Sequence, residues 1–322
     1  MLSCVEICAG AGGQALGLEL AGFKHIALIE YEQEYCNILK TNRPEWNVIC
    51  KDVHDFDGTE YQGVDLLAGG VPCPPFSKAS KQLGANDERD LFPDAIRLID
   101  EMKPRAVLLE NVKGFLDPKF NEYREYILNS IENLGYNVQI KLLNACDYGV
   151  PQLRPRVVII AIKNDEKGVF NYPTTDNTNT PTVGETLKEL MGQNNWSGLD
   201  NWVKKANKIA PTIVGGSKKH GGPDLGPVRA RKAWAELGVD GGGVANTAPE
   251  EEFEGMPKLT KEMIALIQGF PKDWTFGTKK TSACRMIGNA FPPPVAKAVG
   301  IEIRRCLDND QSVNCRSEKK IS

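Results

Sequence analysis

Residues 1 to about 162 alternate short β-rich runs with helical patterns, and that rhythm admits few folds. LSCVEIC is followed by a helix near 13–21, HIALIE by one over 31–41, VDLLAG by one over 91–102, and AVLLENV by one over 121–134, with RVVIIAI closing the series. Nearly continuous apolar strands separated by helices build a parallel sheet covered on both faces. Within 91–102, Phe92, Ala95, Ile96, Ile99 and Met102 recur at helical spacing, which predicts packing on the sheet and assigns them no chemistry.

From about 165 to 257 the texture shifts to Asn, Thr, Gly and Pro, as in NYPTTDNTNTPTVG and GGSKKHGGPDLGP, with few periodic segments. A smaller, loop-rich unit is expected there. Beyond it Thr260 is placed to cap KEMIALIQ, and PPPVAKAVGIEIRRCL sets Val295, Val299, Ile303 and Cys306 along one helix face. The polar stretch from Asp308 to Ser322 is expected to fray.

The 322 residues are 41% hydrophobic, enough for a full core and against disorder as the main state. No apolar run approaches the roughly 20 residues of a spanning helix, and MLSCVEICAG lacks the features of a signal peptide. An intracellular, membrane-free protein is expected. The 9 cysteines include no CxxC pair, and His25, His54 and His220 stand apart, so reduced thiols and no metal are expected. The net charge of -3 hides an uneven distribution. Lys204, Lys205, Lys208, Lys218, Lys219, Arg229, Arg231 and Lys232 crowd a region whose one acid is Asp224, while Glu250, Glu251, Glu252 and Glu254 follow later. Such a run is usually a solvated face, but it could also meet a polyanion.

Three strand ends carry reactive residue types. The first strand runs into Gly10-Ala11-Gly12-Gly13-Gln14-Ala15, and Glu30 closes the second. Glycines let a backbone approach a ligand and a carboxylate there can accept from two ribose hydroxyls, although such a turn also occurs without a ligand or with a dinucleotide. After VDLLAG comes Gly69-Gly70-Val71-Pro72-Cys73-Pro74-Pro75-Phe76-Ser77. A cysteine in a proline-stiffened loop at a strand's carboxyl end suits a nucleophile better than a core element, although cysteine also serves as a small buried hydrophobe. AVLLENV ends in Glu110-Asn111, and a carboxylate closing an apolar strand needs a partner. Arg154 and Arg156 sit just before RVVIIAI; taken alone, surface ion pairing explains them equally well.

EICAGAGG (6–13), GGVPCPPFS (69–77), ENV (110–112), QLRPR (152–156), LIQGFP (266–271) and GNAFPPPVAKAVG (288–300) together resemble, in order, the motif set of DNA (cytosine-5) methyltransferases of the bacterial or phage modification type. The resemblance implies a Rossmann-like α/β sheet formed by 1–165 plus 263–322, and a target-recognition domain over 166–262. It implies S-adenosyl-L-methionine as cofactor, with S-adenosyl-L-homocysteine as product. Residue by residue, the cofactor would lie against Gly10, Gly12 and Gly13, with Glu30 on the ribose and Asp52 on the adenine amine. Cys8, Tyr31, Val53, Gly70, Pro72, Leu91 and Asn289 complete that set.

By the same resemblance Cys73 adds to cytosine C6, Glu110 holds or protonates N3 and the exocyclic amine, Arg154 and Arg156 could assist the thiolate, and Arg156 would sit nearer the base, with the contact of Arg154 (base, phosphate or cysteine) left open. A free thiol has a pKa of roughly 8.5, so nearby cations would assist. Reaching C6 requires the base to leave the stack. Duplex DNA is the implied partner, with Ser77, Lys218, Lys219, Arg229 and Arg231 as candidate contacts. A cytoplasmic monomer paired with a restriction endonuclease is expected.

The chain departs from the usual family pattern at Glu6, Cys8, Ala9, Val71 and Pro74, none of which removes a catalytic group. A tRNA cytosine-5 methyltransferase of the same fold would carry Cys-Phe-Thr near its recognition region, a sequence this chain lacks. An inactive relative would be expected to lose Cys73 or Glu110. A nicotinamide oxidoreductase would need neither.

Overall fold

The structure, a computed structural model, describes residues 1–72, 90–175, 180–215 and 222–308. Seven strands form one sheet: β1 (Leu2–Ile7), β2 (Phe23–Glu30), β3 (Val48–Cys50), β4 (Leu66–Gly70), β5 (Ala106–Val112), β6 (Tyr136–Asn144) and β7 (Pro155–Lys163). Their order is β3-β2-β1-β4-β5-β7-β6. Chain order reverses between β1 and β4, so their carboxyl ends border the crevice where sheets of this kind bind ligands.

The all-parallel expectation requires one correction. β1 to β5 pair in parallel, but β7 runs antiparallel to both β5 and β6. The β6–β7 connection holds only the short turn Ala145–Tyr148 and an extended stretch, too little for the crossover helix that parallel neighbours need. Two strands escaped the reading by run and rhythm. β3 has three residues, and β6 is an edge strand whose Asn137, Gln139 and Lys141 break up its apolar run.

Alternation along the strands divides the core. Val5, Ile7, Leu67, Val107, Leu109 and Ile159 face α3 (Phe92–Met102) and α4 (Asn121–Asn133). Cys4, Leu66, Ala68, Leu108 and Ile160 face α1 (Gly13–Leu20) and the last helix, Pro293–Leu307. That last helix buries Val295, Val299, Ile303 and Cys306, the face expected from spacing. It packs closely on α1 because Gly17 has no Cβ: one built there would lie 2.4 Å from the Pro293 carbonyl oxygen.

The remaining helices are α2 (Gln33–Asn42), α5 (Val183–Met191), α6 (Leu199–Lys205), α7 (Val228–Glu236), α8 (Lys261–Gln268), α9 (Lys280–Asn289) and α10, the Pro293–Leu307 helix. The stretch expected to be mainly loops thus holds α5 to α7. Each is too short for a clear period, and α5 is announced instead by a capping box between Thr182 and Glu185. Their core, with Leu187, Met191, Trp202 and Trp234, is continuous with Met263 and Ile267 of α8 and with Leu39 and Trp46 near the sheet. Thr260 caps α8, accepting from the Met263 N–H.

Candidate active site

Past β1 the backbone turns sharply. Cys8, Gly10 and Gly12 all have positive φ, at 52°, 56° and 86°, and the Gly12 N–H returns to the Ala9 carbonyl before α1 begins. Glu30 holds this turn: its Oε2 accepts from the Gly10 N–H at 2.8 Å and its Oε1 from the Glu32 N–H at 2.9 Å. Burial pushes the Glu30 carboxyl up from its usual range, and these two N–H groups pull it back.

Beside the turn lies a solvent-open cleft of about 360 Å³. Cys8, Ile29, Glu30 and Tyr31 form one wall, Lys51, Asp52 and Val53 the next, and Pro72 with Leu91 the far side. Asp52 caps the short turn Val53–Asp55 through the His54 N–H at 3.0 Å, and Arg97 holds that turn by donating to the Val53 and Phe56 carbonyls, each at 2.9 Å. Desolvation, and then the Glu30 charge, push the Cys8 thiol up, favouring its neutral form in the cleft wall. Ile29 and Lys51 were not singled out from the sequence, because one reads as core and the other as surface.

Gly10, Gly12, Gly13, Gly70 and Asn289 do not line this cleft. A Cβ on Gly12 would come within 2.8 Å of Leu39 and Trp274, and one on Gly13 within 2.4 Å of the Phe291 carbonyl oxygen. Both positions are therefore required by packing behind the loop, whereas a Cβ on Gly10 would make only an ordinary contact, 3.9 Å from the Cys8 carbonyl oxygen. Gly70 stands beside Glu110, where a Cβ would be 3.5 Å from Oε2, and the Asn289 side chain lies against Gly215.

The second cluster lies at the end of β5. Glu110 is 8% exposed and Arg156 9%. Their Oε1 and Nε stand 2.7 Å apart as a buried ion pair. Burial pushes Glu110 up, opposed by Arg156 and then Arg154. Next to it the Asn111 amide donates to the Val71 carbonyl at 3.0 Å, tying β5 to the residues just before Cys73. Cys73 itself, with Ser77, Lys218 and Lys219, lies outside the described residues.

Arg154, whose contact the sequence left open, is held by backbone carbonyls. Fully buried, it donates to the carbonyls of Ile213 at 3.0 Å and of Gly288 and Ala290, both at 2.7 Å. Burial, and then Arg156, push its guanidinium down. Three carbonyl oxygens and the nearby Glu110 charge keep a guanidinium protonated there. Arg229 and Arg231 are exposed on α7, Arg231 donating to the Gly226 carbonyl. Glu6 is buried against His25, Nε2 to Oε2 3.3 Å, a pair the isolated histidine did not announce. Among the described residues no group of three or more His, Cys, Asp or Glu could hold a metal ion, and no helix is long and apolar enough to cross a membrane.

The sheet order and the crevice at its carboxyl ends define a Rossmann-like methyltransferase fold. Within that class the chain belongs to the C-5 cytosine-specific DNA methylase family, whose profile matches residues 2–305. It is 55% identical over 309 residues to the type II methyltransferase M.NgoMIV of Neisseria gonorrhoeae, covering 95% of this chain and 98% of that protein. It is 54% identical over 313 residues to M.NaeI of Lentzea aerocolonigenes, covering 95% and 76%. The fold is shared with a prophage-encoded putative DNA modification methyltransferase of E. coli, at a TM-score of 0.68 and 21% identity, covering 96% of this chain and 100% of that one. A Spodoptera frugiperda DNMT2 mutant gives 0.66 and 17%, with the same coverage. The protein is a DNA (cytosine-5) methyltransferase.

Proposed function

We propose that the protein methylates C5 of a flipped-out cytosine within a specific duplex DNA sequence, using S-adenosyl-L-methionine and a covalent bond from Cys73 to C6. The observation that carries this reading is the buried Glu110–Arg156 ion pair at the sheet's carboxyl edge, Nε to Oε1 2.7 Å, beside the residues that lead into Cys73. A buried ion pair is costly to assemble away from water and is weak evidence of a merely stabilising role.

The cleft suits the cofactor by the chemistry of its walls. Glu30 offers carboxylate oxygens to ribose hydroxyls, Asp52 an acceptor for an amine, and Ile29, Val53 and Leu91 apolar surface for a purine. When bound there, the cofactor supplies an electrophilic methyl group. Cys73 adds to C6 and turns C5 into a nucleophile, while Glu110 bonds N3 and the exocyclic amine and draws charge out of the ring. Arg156 steadies Glu110 and the developing charge. After transfer, loss of the C5 proton and departure of Cys73 restore the aromatic ring. Gly12, Gly13 and Asn289 act behind the cleft, shaping it through packing.

Residues 166–262 form the target-recognition domain, with Arg229, Arg231 and the lysines around 218 on phosphates. A cytoplasmic monomer working beside a restriction endonuclease of the same specificity completes the reading, supported by the type II names of the bacterial relatives.

Bisulfite sequencing of plasmid from cells expressing the protein should reveal one protected cytosine in a constant sequence context. An oligonucleotide with 5-fluorocytosine at that position, plus cofactor, should leave a stable protein–DNA adduct that Cys73→Ser abolishes. Methylation without an adduct would refute covalent catalysis.

A further inference from the structure

We infer that Cys36 and Cys50 form a redox couple behind the cleft: a peroxide joins them as a disulfide, and the joined state holds the cofactor more weakly. The disulfide stands independently of the function; its effect on the cofactor rests on the proposed reading.

Cys36 lies on α2 and has no exposed surface, whereas Cys50 ends β3 and is exposed. The fold brings them together. Cys50 pairs with Glu30 across the β2–β3 ladder, and α2 starts just past β2, so that Cys36 Sγ donates to the Glu30 carbonyl at 3.2 Å. Cys50 Sγ donates to the Tyr31 carbonyl at 3.8 Å, and the two thiols lie within hydrogen-bond reach of each other. A buried cysteine serves well as a small apolar group, but that role needs no exposed thiol beside it. An accessible thiol next to a shielded one is how a sensor cysteine and its resolving partner are arranged.

Burial, and then Cys50, push the Cys36 thiol up to about 12, so Cys50 reacts first. Its sulfur, having lost its proton, attacks hydrogen peroxide; the O–O bond breaks, a sulfenic acid forms, and the departing hydroxide takes up the proton as water. The Cys36 sulfur then displaces the hydroxyl, which leaves with the Cys36 proton as a second water. Two thiols and one peroxide give one disulfide and two waters, each sulfur losing one electron and the peroxide gaining two.

Sulfurs in a disulfide stand about 2 Å apart, so closing it draws both off the carbonyls they bond. Those carbonyls belong to Glu30 and Tyr31, and the Glu30 carbonyl also accepts from the Lys51 N–H at 3.0 Å. Glu30, Tyr31 and Lys51 all line the cleft. One bond therefore displaces two of its walls together.

The full chain carrying Cys73→Ser tests this without oxidation of the candidate nucleophile. Hydrogen peroxide should lower its intact mass by two hydrogens, with peptide mapping placing the crosslink at Cys36 and Cys50. The Kd for S-adenosyl-L-homocysteine, measured by calorimetry, should rise roughly tenfold or more, as when Glu30 loses its bonds to the ligand, and should recover on dithiothreitol. Adding Cys50→Ser should hold that Kd within about twofold before and after peroxide. Absence of the Cys36–Cys50 crosslink overturns the inference. So does a crosslink that leaves Kd unchanged, or an equal loss in the Cys50→Ser protein, which marks oxidation elsewhere. If the reduced protein binds neither S-adenosyl-L-homocysteine nor S-adenosyl-L-methionine, it is the proposed function that fails, and the peptide map still decides the disulfide.

Discussion

Arg156 Nε stands 2.7 Å from Glu110 Oε1 inside the protein, one from β7 and the other from β5, at positions only two registers apart in the antiparallel pairing. Taking two charges out of water is expensive, so removing one partner leaves the other buried and uncompensated, at a cost of about 3–5 kcal/mol. Glu110→Gln should therefore lower the urea midpoint as well as the methylation rate, the latter by on the order of 10²–10⁴, the span of a lost acid–base group. Single-turnover methylation with saturating cofactor checks this. A rate within threefold of wild type would remove Glu110 from the chemistry.

The glycine turn separates into two functions. Gly10→Ala would make only an ordinary contact, 3.9 Å from the Cys8 carbonyl oxygen, but must hold positive φ, costing about 1 kcal/mol; because the Gly10 N–H holds Glu30 in the cleft wall, its effect should appear chiefly as weaker cofactor binding. Gly13→Ala collides with the Phe291 carbonyl and should lower stability by about 1–3 kcal/mol, as overpacking does. Paired measurements of Tm and cofactor Kd distinguish them. Equal Kd losses at unchanged Tm would mean that both glycines face the ligand.

What the chain's pattern disclosed follows from what sets each feature. Strands β1, β2, β4, β5 and β7 are buried on both sides, so their apolar runs stand out; β3 is short and β6 is an edge, and neither has such a run. The carboxyl-edge residues were legible because a carboxylate or glycine at the end of an apolar strand is conspicuous. Cys8, Glu30, Tyr31, Asp52, Val53, Pro72 and Leu91, named from motif positions, share one cleft in the structure. The purpose of Gly12, Gly13 and Arg154 was not legible, since most of their contacts come from residues more than a hundred positions away, Phe291, Trp274, Gly288 and Ala290 among them. The Glu6–His25 pair, 19 positions apart, gave no local sign either, because the β1–β2 pairing brings it together.

That pair predicts a pH dependence. Burial pushes Glu6 up from its ordinary value, and the hydrogen bond and charge of His25 oppose it. A folded-state value above the unfolded one means that the folded protein holds the proton more tightly. The stabilisation is complete below the unfolded carboxyl value of roughly 4.3 and is lost as pH rises through the folded one. Glu30 and Glu110 shift in the same direction, so the contribution of Glu6 must be isolated by difference. Glu6→Gln cannot titrate, and its stability relative to wild type should increase between about pH 4 and pH 8. Urea midpoints across that range test it; a constant difference would show that Glu6 keeps its ordinary value.

Arg154 gives the strongest contrast between charge and shape. Its guanidinium reaches carbonyls on three residues, Ile213, Gly288 and Ala290, in directions a planar fork matches and an ammonium does not. Arg154→Lys keeps the charge but can satisfy fewer of these acceptors. The Ala290 carbonyl would retain the Gln268 amide at 2.7 Å, leaving the Ile213 and Gly288 oxygens exposed to the loss. The expected destabilisation is about 1–3 kcal/mol per stranded group. The residual rate at saturating DNA and cofactor should stay within about tenfold of wild type, because Arg156 rather than Arg154 meets Glu110. Chemical denaturation with single-turnover assays separates the two effects. Wild-type stability combined with a thousandfold slower reaction would return Arg154 to the catalytic group.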